Sequence, residues 1–331
     1  MKKKVIAYGR VREKAKRKLR ENYELHVFSG KEEVSDETFA GVLAEAEGIV
    51  GLGIQADDGF LRHAPNLKVV SNVSVGYDNL DLEALTEHGV AATNTPEVLN
   101  DTTADAVFGL ILSTARRIPE LDRFVKKGEW EQEGDLPEDK FGSDVHHRKL
   151  GIIGMGRIGE AIAKRAHFGF DMEILYHNRS RKPEVEKTYD ASYCTLDELL
   201  SEADVVCLMT PLTPETEGLM GRSEFQQMKQ DAIFINGSRG GAVKEDALVE
   251  ALKHGDILAA GLDVYQQEPL PADHPLLQLP HVVTTPHIGS STGATEDKMS
   301  LLAAENADAA LQGQRPPNLL NPEVWESGGK E

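Results

Sequence analysis

The chain has 331 residues and carries 55 acidic side chains against 36 basic ones, which gives a formal net charge of −19. A charge this negative argues against a general binder of nucleic acid or anionic membranes, because attraction to phosphates needs a basic surface. Hydrophobic residues make up 40% of the chain and charged residues 27%, as in globular proteins, and the length is sufficient for two domains.

Basic residues are concentrated at the start of the chain, where residues 1–20 hold ten lysines and arginines and one acid. The run from Arg10 to Arg20 could form an anion-binding patch. It also contains Ala15 and Leu19 at an i, i+4 spacing, which is the narrow apolar stripe of an amphipathic helix. We favour the solvated face of a helix over an anion site.

The cysteines and the longest apolar segments indicate where the protein works. Cys194 and Cys207 have no CxxC or metal-binding spacing, so the sequence predicts neither a disulfide framework nor a metal site. The first lysines are followed only by the short apolar segment VIAYG, which predicts no signal peptide. The apolar stretch at 106–115 is far shorter than the roughly 18 residues of a membrane span. We therefore expect a cytoplasmic protein with no membrane partner.

Short apolar runs alternate with helical stretches along almost the whole chain, a rhythm typical of parallel sheets with crossover helices. The runs form a first series of five predicted strands and a second series of six, and the second series matches a doubly wound dinucleotide-binding domain. The predicted strands are 5–9, 25–28, 48–52, 67–73 and 89–93, then 150–154, 173–176, 204–209, 232–236, 257–264 and 281–285.

Two long helices are predicted outside these strands. One runs from about Thr102 to Lys127, with Asp101 as its N-cap and Gly128 as its terminator. The other follows the last strand, at about 294–312, and we expect it to return to the first domain. The first domain would then be discontinuous in sequence.

A glycine-rich loop follows the first strand of the second series, at Gly154-Met155-Gly156-Arg157-Ile158-Gly159. GxGxxG is a weak signal alone and a strong one between a strand and a helix. Gly154 permits the tight turn, Gly156 lets a pyrophosphate approach the backbone, and Gly159 lets the helix pack on the strand. The helix N-terminus then offers donors to the phosphates. The alternative is a tight turn with no ligand.

The end of the next strand bears on which dinucleotide binds. An NAD-binding unit usually has an Asp or Glu here, about 20 residues after the loop, to accept the ribose hydroxyls. The chain instead has His177 followed by Asn178, Arg179, Ser180 and Arg181. An arginine can bind a 2′-phosphate that a carboxylate would repel. We therefore predict NADP(H) as the preferred cofactor, with NAD(H) possible, Arg179 as the main contact and its neighbours assisting; the alternative is a solvated turn.

Three further segments end strands of the second series, where open α/β sheets place their ligands. They carry Arg239, Glu268 and His287. Individually these residues could be a surface cation, a loop acid and a packed histidine. Together they supply what reduction of a 2-oxo acid needs: a guanidinium for the substrate carboxylate, an imidazolium to protonate the carbonyl oxygen, and a carboxylate to keep that imidazole protonated.

The ordered motifs identify a resemblance over essentially the whole chain. The sequence resembles the D-isomer-specific 2-hydroxyacid dehydrogenases, and within them the glyoxylate/hydroxypyruvate reductase and 2-ketogluconate reductase branch. The motifs that carry the resemblance are SVGYDN (74–79), NTPEVLNDTTAD (94–105), LSTARR (112–117), DVHHRKLGIIGMGRIG (144–159), RAHFGF (165–170), NGSRG, AAGLDVYQQEPL and TPHIGSST.

The resemblance implies roles for individual residues. Arg239, Glu268 and His287 would form the active site. Backbone amides of Val75 and Gly76, with Leu52 and Gly53 nearby, would face the substrate carboxylate. The residues implied to line the cofactor, in addition to the glycine-rich loop, are Thr103, Thr210, Pro211, Gly237, Ser238, Asp263 and Gly289.

The resemblance also completes the architecture. It implies two Rossmann-like α/β domains in a homodimer. A doubly wound dinucleotide-binding domain (99–289) would be inserted in a discontinuous, flavodoxin-like substrate-binding domain (1–98 and 290–331). One segment of the sequence departs from a related branch of the family. In that branch a second aromatic residue soon follows a Gly-x-Trp motif, whereas here Gly128-Glu129-Trp130 is followed by Glu131, Gln132 and Glu133. The residues that cover the substrate are therefore not predicted.

The function we expect is NADPH-preferring reduction of short 2-oxo acids such as glyoxylate, hydroxypyruvate or 2-ketogluconate, with His287 as the proton donor. Two alternatives stay open at the level of sequence. One is NAD-linked oxidation of another D-2-hydroxy acid. The other is a nucleotide-sensing binding protein on the same scaffold, similar to the corepressors of this fold.

Overall fold

The structure, a computed structural model, describes residues 2–327. The chain divides into two compact units, one made of Met1–Leu99 with Thr292–Glu331 and the other of Asn100–Ser291. Each unit is an α/β structure with one parallel sheet. Among the described residues, no helix is both long enough and apolar enough to span a membrane.

The first 99 residues build a five-stranded sheet in which all four neighbouring pairs are parallel. The strand order β2-β1-β3-β4-β5 is the flavodoxin-like order, and the five predicted strands are confirmed. The strands are β1 (Lys4–Tyr8), β2 (Glu24–Phe28), β3 (Ala46–Gly51), β4 (Val69–Asn72) and β5 (Ala91–Thr93). The helices are α1 (Glu13–Asn22), α2 (Glu37–Leu43), α3 (Asp58–Leu61) and α4 (Leu82–Glu87). Asp36, Asp57 and Asp81 cap the last three helices through side-chain oxygens.

The second unit holds a seven-stranded parallel sheet in the order β12-β11-β10-β9-β6-β7-β8, the doubly wound order predicted for a dinucleotide-binding domain. Its strands are β6 (Lys149–Ile153), β7 (Glu173–His177), β8 (Ser192–Tyr193), β9 (Val205–Leu208), β10 (Ile233–Asn236), β11 (Ala259–Leu262) and β12 (Val282–Thr284). Its helices are α5 (Asn100–Ala115), α6 (Ile118–Lys126), α7 (Glu129–Glu133), α8 (Arg157–Phe170), α9 (Pro183–Tyr189), α10 (Leu196–Glu202), α11 (Arg222–Gln227) and α12 (Glu245–His254). Three short 3-10 helices lie at Glu138–Lys140, Gly240–Ala242 and Pro275–Gln278. The six predicted strands are confirmed, and β8 is an addition too short to show a pattern.

The single long helix predicted between the two series is wrong. It is divided into α5 and α6, and Arg117 between them adopts a left-handed conformation with φ 54°. Pro119 explains the break, because proline lacks an amide hydrogen and restricts the residue before it, so it is tolerated only in a helix's first turn. The Arg117 side chain stabilises this break by donating hydrogen bonds to both carboxylate oxygens of Glu120, each at 2.8 Å. Asp101 lies inside α5 rather than capping it, whereas Gly128 does terminate α6 with φ 75°.

The last two helices, α13 (Gly293–Leu311) and α14 (Glu323–Ser327), belong to the first unit, as expected for the long helix at 294–312. Helix α13 packs on α1, β3 and β4. Ala15 and Leu19 of α1 are buried, which confirms the apolar stripe in the basic run.

The basic face of α1 is paired with acids of α13 rather than simply solvated. Lys14 lies 2.7 Å and Arg12 2.9 Å from Asp297, and Lys18 lies 2.8 Å from Glu305. Because the basic side chains of these pairs are exposed, each pair contributes only about 0–1 kcal/mol. The pairs nonetheless give Arg12, Lys14 and Lys18 acidic partners within the same chain, which supports the helix-face interpretation over an anion-binding patch.

Candidate active site

The glycine-rich loop connects β6 to α8 as predicted. Gly154 has φ 100°, and a Cβ there would lie 2.7 Å from the Met209 carbonyl carbon at the end of β9. A Cβ at Gly159 would lie 2.5 Å from the Gly154 oxygen. Each position therefore requires glycine for a close backbone approach. Met155 is buried in the core and Ile158 packs against it, which anchors the loop.

The space around this loop fits a dinucleotide pyrophosphate. Gly156 precedes α8 without a side-chain cap, and within residues 2–327 no atom beyond its chain neighbours lies within 4 Å of the position its Cβ would occupy. The first-turn amides of α8, beside the exposed Arg157, thus face open space at the positive end of the helix dipole. The Thr210 hydroxyl, in the half-buried turn that continues into Pro211, is buried without a hydrogen-bond partner among residues 2–327. Such an orphaned hydroxyl is expected where a ligand supplies the missing partner.

The turn after β7 places its two arginines differently. Arg181 donates to both oxygens of Glu186, at 3.0 and 2.6 Å, and lies over the Tyr193 ring. Arg179 is exposed and forms no ion pair or hydrogen bond within residues 2–327. Its neighbours shape the turn, because Asn178 Nδ2 donates to the Ser180 carbonyl at 3.0 Å. Of the two guanidiniums, Arg179 is therefore the one available to a ligand.

A carboxylate that sequence reasoning missed lies within electrostatic reach of Arg179. The hydrogen bond from Thr213 lowers the pKa of Glu215, and the charge of Arg179 adds to this effect. Glu215 follows β9, 36 positions after Arg179 in the chain, so no local pattern could connect the two. Its negative charge offsets part of the positive potential at the turn.

Arg239 is presented by a rigid turn at the end of β10. The buried Asn236 Oδ1 accepts from the Ser238 amide and hydroxyl at 3.0 and 2.9 Å, and its Nδ2 donates to the Arg239 carbonyl at 3.0 Å. Asparagine suits such a turn because its short amide can replace backbone partners. A Cβ at Gly240 would overlap the Tyr265 carbonyl carbon, so only glycine lets this turn pack on the loop after β11.

Glu268 and His287 form the central contact of the site. His287 Nδ1 lies 2.7 Å from Glu268 Oε2, and Glu268 Oε1 accepts from the Tyr265 amide at 3.1 Å. A carboxylate can only accept here, so Nδ1 carries hydrogen and Nε2 is left to face a substrate. The side chains are partly exposed, at 49% for His287 and 36% for Glu268, and so are accessible to a small molecule.

The electrostatics favour a charged pair. The hydrogen bond that His287 donates to Glu268 raises the pKa of His287 above its ordinary value, with the charge of Glu268 adding to it, while burial and the Arg239 charge oppose this. Burial disfavours the Glu268 carboxylate most strongly. The hydrogen bond and charge of His287, helped by the Tyr265 amide and Arg239, nevertheless lower the Glu268 pKa. Arg239 thus lies within electrostatic reach of both residues, and the imidazolium persists to higher pH than in a free histidine.

Asp263 organises the loop that carries His287. Its Oδ1 accepts from the Thr285 hydroxyl at 2.6 Å and the Ile288 amide at 2.8 Å, and its Oδ2 accepts from the Gly289 amide at 2.8 Å. His287 itself has φ 50°, a left-handed conformation that needs support from its surroundings. The sequence implied only a cofactor-lining role for Asp263, and its positioning role was missed.

The start of α5 lies against these strand ends. A Cβ at Gly289 would lie 3.2 Å from Thr103 Cγ2, and one at Gly237 would lie 2.5 Å from Val107 Cγ2. Thr103 is buried, as are Ser238 and Asp263. The second unit thus brings together the residues implied to line the cofactor after β10, β11 and β12.

The implied substrate residues occupy loops of the first unit. Gly53, after β3, is exposed with φ 81°, and Leu52 donates its amide to the Tyr8 carbonyl at 3.2 Å. After β4, the carbonyls of Val75 and Gly76 accept from Asn94 and Asn72 side chains, both at 2.8 Å. Both loops follow strand ends of the five-stranded sheet, where ligands are expected.

Comparison with known proteins assigns the family. Residues 108–289 match the sequence model of the D-isomer specific 2-hydroxyacid dehydrogenase NAD-binding domain. The chain is 48% identical to glyoxylate/hydroxypyruvate reductase B of Escherichia fergusonii over 98% of its own length and 99% of that protein.

Solved structures give the same result. A protein of Thermus thermophilus aligns with a TM-score of 0.88 and 41% identity over 96% of this chain and 99% of its own. The NADPH-dependent glyoxylate/hydroxypyruvate reductase of Sinorhizobium meliloti, solved with NADP and malonate, aligns with a TM-score of 0.87 and 28% identity over 98% of both chains.

Fold and matches together define an oxidoreductase that uses a nicotinamide dinucleotide, NAD(P), on Rossmann-like units. The chain belongs to the D-isomer specific 2-hydroxyacid dehydrogenase family. The family, the fold class and the use of an NAD(P) cofactor predicted from the sequence are thereby confirmed.

Proposed function

We propose that this protein reduces short 2-oxo acids to 2-hydroxy acids, with NADPH preferred and with glyoxylate, hydroxypyruvate and 2-ketogluconate as substrates. The observation that carries the proposal is the 2.7 Å contact between His287 Nδ1 and Glu268, within electrostatic reach of Arg239. The Escherichia fergusonii and Sinorhizobium meliloti relatives, which are named for glyoxylate and hydroxypyruvate, support the substrate class. The second unit would bind the dinucleotide and the first the substrate.

The proposed chemistry follows from these side chains. When bound, the reduced nicotinamide supplies a hydride to the carbonyl carbon of the substrate. His287 donates its Nε2 proton to the carbonyl oxygen, so a negative alkoxide does not accumulate. Glu268 holds the imidazole in the orientation that exposes Nε2 and stabilises its charged form. Arg239 forms paired hydrogen bonds with the substrate carboxylate, which fixes the carbonyl for attack. Backbone amides of Val75 and Gly76, beside Leu52 and Gly53, are the predicted carboxylate contacts in the first unit.

A panel of 2-oxo acids tests the substrate class. Glyoxylate, hydroxypyruvate, 2-ketogluconate and the bulky apolar phenylpyruvate would each be assayed with NADPH by loss of nicotinamide absorbance. We expect the first three to be reduced and phenylpyruvate to have the lowest kcat/KM. Preferred reduction of phenylpyruvate would contradict the proposed substrate class.

The pH dependence of reduction is expected to report the His287–Glu268 pair. The proton donor must be the imidazolium, so kcat/KM should be constant at low pH and fall as pH rises through the raised pKa of His287. Glu268→Gln removes the main cause of the raised pKa and should move this decline to lower pH, so the loss of activity is greater at pH 8 than at pH 6. The measurement is the pH profile of kcat/KM for both proteins.

Glu250→Gln is a matched control for that experiment, since Glu250 lies on α12 beside His254 and is outside the proposed site. Its profile should coincide with that of the unaltered protein. A Glu268→Gln profile with an unmoved alkaline limb would show that Glu268 does not set the protonation of His287.

Preference for NADPH is proposed to depend on Arg179. Arg179→Ala removes the available guanidinium and should lower kcat/KM with NADPH by about 10- to 100-fold, the value of one charge-assisted contact, while leaving NADH nearly unchanged. Arg181→Ala should have a smaller effect, because Arg181 is already bound to Glu186. Steady-state kinetics would measure kcat/KM with NADPH and with NADH for each protein. A preference of the unaltered protein for NADH would refute the proposed NADPH preference.

A homodimer is proposed from an exposed apolar surface on residues 118–141. This surface carries large apolar side chains that are 39–59% exposed: Ile118, Val125, Trp130, Leu136 and Phe141. Such a patch is unusual for a monomer and is typical of an interface. Light scattering should give a mass of about 72 kDa, twice the 36.2 kDa of the chain. Trp130→Glu should lower the mass and Leu258→Glu, an exposed apolar site outside the patch, should not; a monomeric unaltered protein would overturn the proposal.

A cytoplasmic location is proposed from the thiols. Cys194 and Cys207 are both free, and Cys207 is completely buried. Burial raises the pKa of the Cys207 thiol to about 12, so it stays protonated and unreactive at neutral pH. Two free cysteines are typical of proteins from a reducing compartment.

A further inference from the structure

The first unit contains a cavity of about 470 Å³ whose wall includes Gly53 of the predicted substrate loop and none of Arg239, Glu268 and His287. It opens at the carboxyl ends of β1 and β3, beside Tyr8, the last residue of β1, and Gly53 and Ile54, which follow β3. In the strand order β2-β1-β3, the chain turns to one side of β1 and then to the other, so this is the topological switch point of the sheet. Open α/β sheets characteristically bind ligands at such a point.

The inner wall of the cavity is apolar and aromatic. Phe39 and Ile54 are buried and Phe60 is half-buried, and the Tyr8 ring packs against Phe39 with ring centroids 5.5 Å apart. The volume lies within the range of small-molecule sites, and this wall would bury a flat or branched apolar group. Val34 borders the same space and is also half-buried.

The outer wall is acidic, with Glu32, Glu33 and Asp57. Backbone and hydroxyl hydrogen bonds from Ser29 and the neighbouring amides lower the pKa of Glu32 to about 2, so its charge is permanent at neutral pH. Burial raises the pKa of the Tyr8 hydroxyl, and the charges of Glu32 and Glu33 raise it further, so the negative potential extends into the cavity.

One basic side chain, His63, lines the wall together with the three carboxylates. His63 is exposed, and its Nδ1 donates to the Gly59 carbonyl at 2.9 Å. An acidic opening over an apolar interior is complementary to a cation on an apolar body, and it repels anions. The 2-oxo acids of the proposed reaction are anions, so they do not match this cavity, although Gly53 also belongs to the predicted substrate loop.

We propose that this cavity binds a small organic cation, a primary amine or amidinium on an aromatic or branched aliphatic body. The apolar body lies against Phe39, Ile54 and Phe60, and the charged group lies between Glu33 and Asp57. Arg239, Glu268 and His287 do not contribute to its wall.

Three probes of the same shape and different charge test the proposal. The probes are 2-phenylethylamine, 2-phenylethanol and phenylacetate, titrated into the full-length protein by calorimetry and by methyl NMR of Ile49 and Ile54. We expect the amine to bind at least tenfold more tightly than either other probe and to shift the signals of both isoleucines. Equal binding of the three probes, or signal changes only outside the cavity wall, would overturn the proposal.

Matched variants separate rim charge from general charge. Glu33→Gln combined with Asp57→Asn removes two rim charges, and asparagine preserves the helix cap that Asp57 provides. It should weaken amine binding by about tenfold. Glu250→Gln combined with Asp246→Asn removes the same two charges on α12, which contributes no residue to the cavity wall, and should change binding less than twofold.

Val34→Phe fills the cavity and should abolish binding of the amine. If the larger side chain disturbs folding, the comparison of the two charge variants still tests whether rim charge contributes to amine binding, because both variants leave the apolar wall intact. Amine binding that survives the Glu33→Gln and Asp57→Asn pair unchanged would refute the site.

Discussion

His287→Ala is expected to lower kcat for 2-oxo acid reduction by about 10²- to 10⁴-fold, the usual contribution of a positioned general acid. The physical reason is the 2.7 Å contact with Glu268, which keeps the imidazole charged and leaves Nε2 as its remaining donor. Without it, the oxygen must take its proton from water as the hydride arrives. The measurement is single-turnover reduction of glyoxylate at saturating NADPH, which separates the chemical step from product release.

A second substitution controls for the backbone at this position. His287 has φ 50°, and alanine is less tolerant of that conformation than asparagine, so part of any loss in His287→Ala could come from a disturbed loop. His287→Asn keeps the left-handed backbone and also lacks the proton donor, so its kcat should be equally low. His254→Ala, on the exposed face of α12, should retain full activity. Near-normal turnover of His287→Asn would show that another group donates the proton.

The sheets were predictable because the strands of a parallel sheet are buried on both faces, so each strand is a continuous run of apolar residues in the sequence. Runs such as 204–209 and 232–236 became β9 and β10 with nearly the same bounds. The errors occurred where the local pattern is ambiguous. The apolar spacing continues through Arg117. It therefore could not show that Arg117 adopts a left-handed conformation, which ends one helix and lets the next begin with Pro119 in its first turn.

The candidate site was predictable for a topological reason. The carboxyl ends of parallel strands meet along one edge, so segments that follow β10, β11 and β12 must come together even though nearly 50 residues separate Arg239 from His287. The 2.7 Å contact between His287 and Glu268 is the direct result.

The supporting contacts were not predictable, because they join residues with no periodic relation. Arg181 binds Glu186 across a turn, and Asp263 accepts from Thr285 and the amides beyond it. The pairing of α1 with α13 joins residues almost 300 positions apart. The sequence shows how many such charges there are but not which residues they pair with. The basic run at residues 10–20 could therefore be interpreted either as an anion-binding patch or as a helix face until the positions of α1 and α13 were known.

Arg239→Ala is expected to lower kcat/KM for 2-oxo acids by about 10²- to 10⁴-fold, since it removes two charge-assisted hydrogen bonds to the substrate carboxylate. Arg239→Lys should recover only part of this loss, because lysine keeps the charge without the planar fork. The methyl ester of pyruvate provides the matched substrate: it lacks the charged carboxylate, so its kcat/KM should hardly change in either variant. Steady-state kinetics with pyruvate and its ester would measure both effects.

The same substitution should alter the pH profile in a direction opposite to Glu268→Gln. The charge of Arg239 lowers the pKa of His287, whereas Glu268 raises it. Removing Arg239 should therefore move the alkaline decline of kcat/KM to higher pH, while removing Glu268 moves it to lower pH. A merely structural role for Arg239 would reduce activity without moving the profile. Equal losses with pyruvate and its methyl ester, together with an unmoved profile, would show that Arg239 neither binds the carboxylate nor acts on the proton donor.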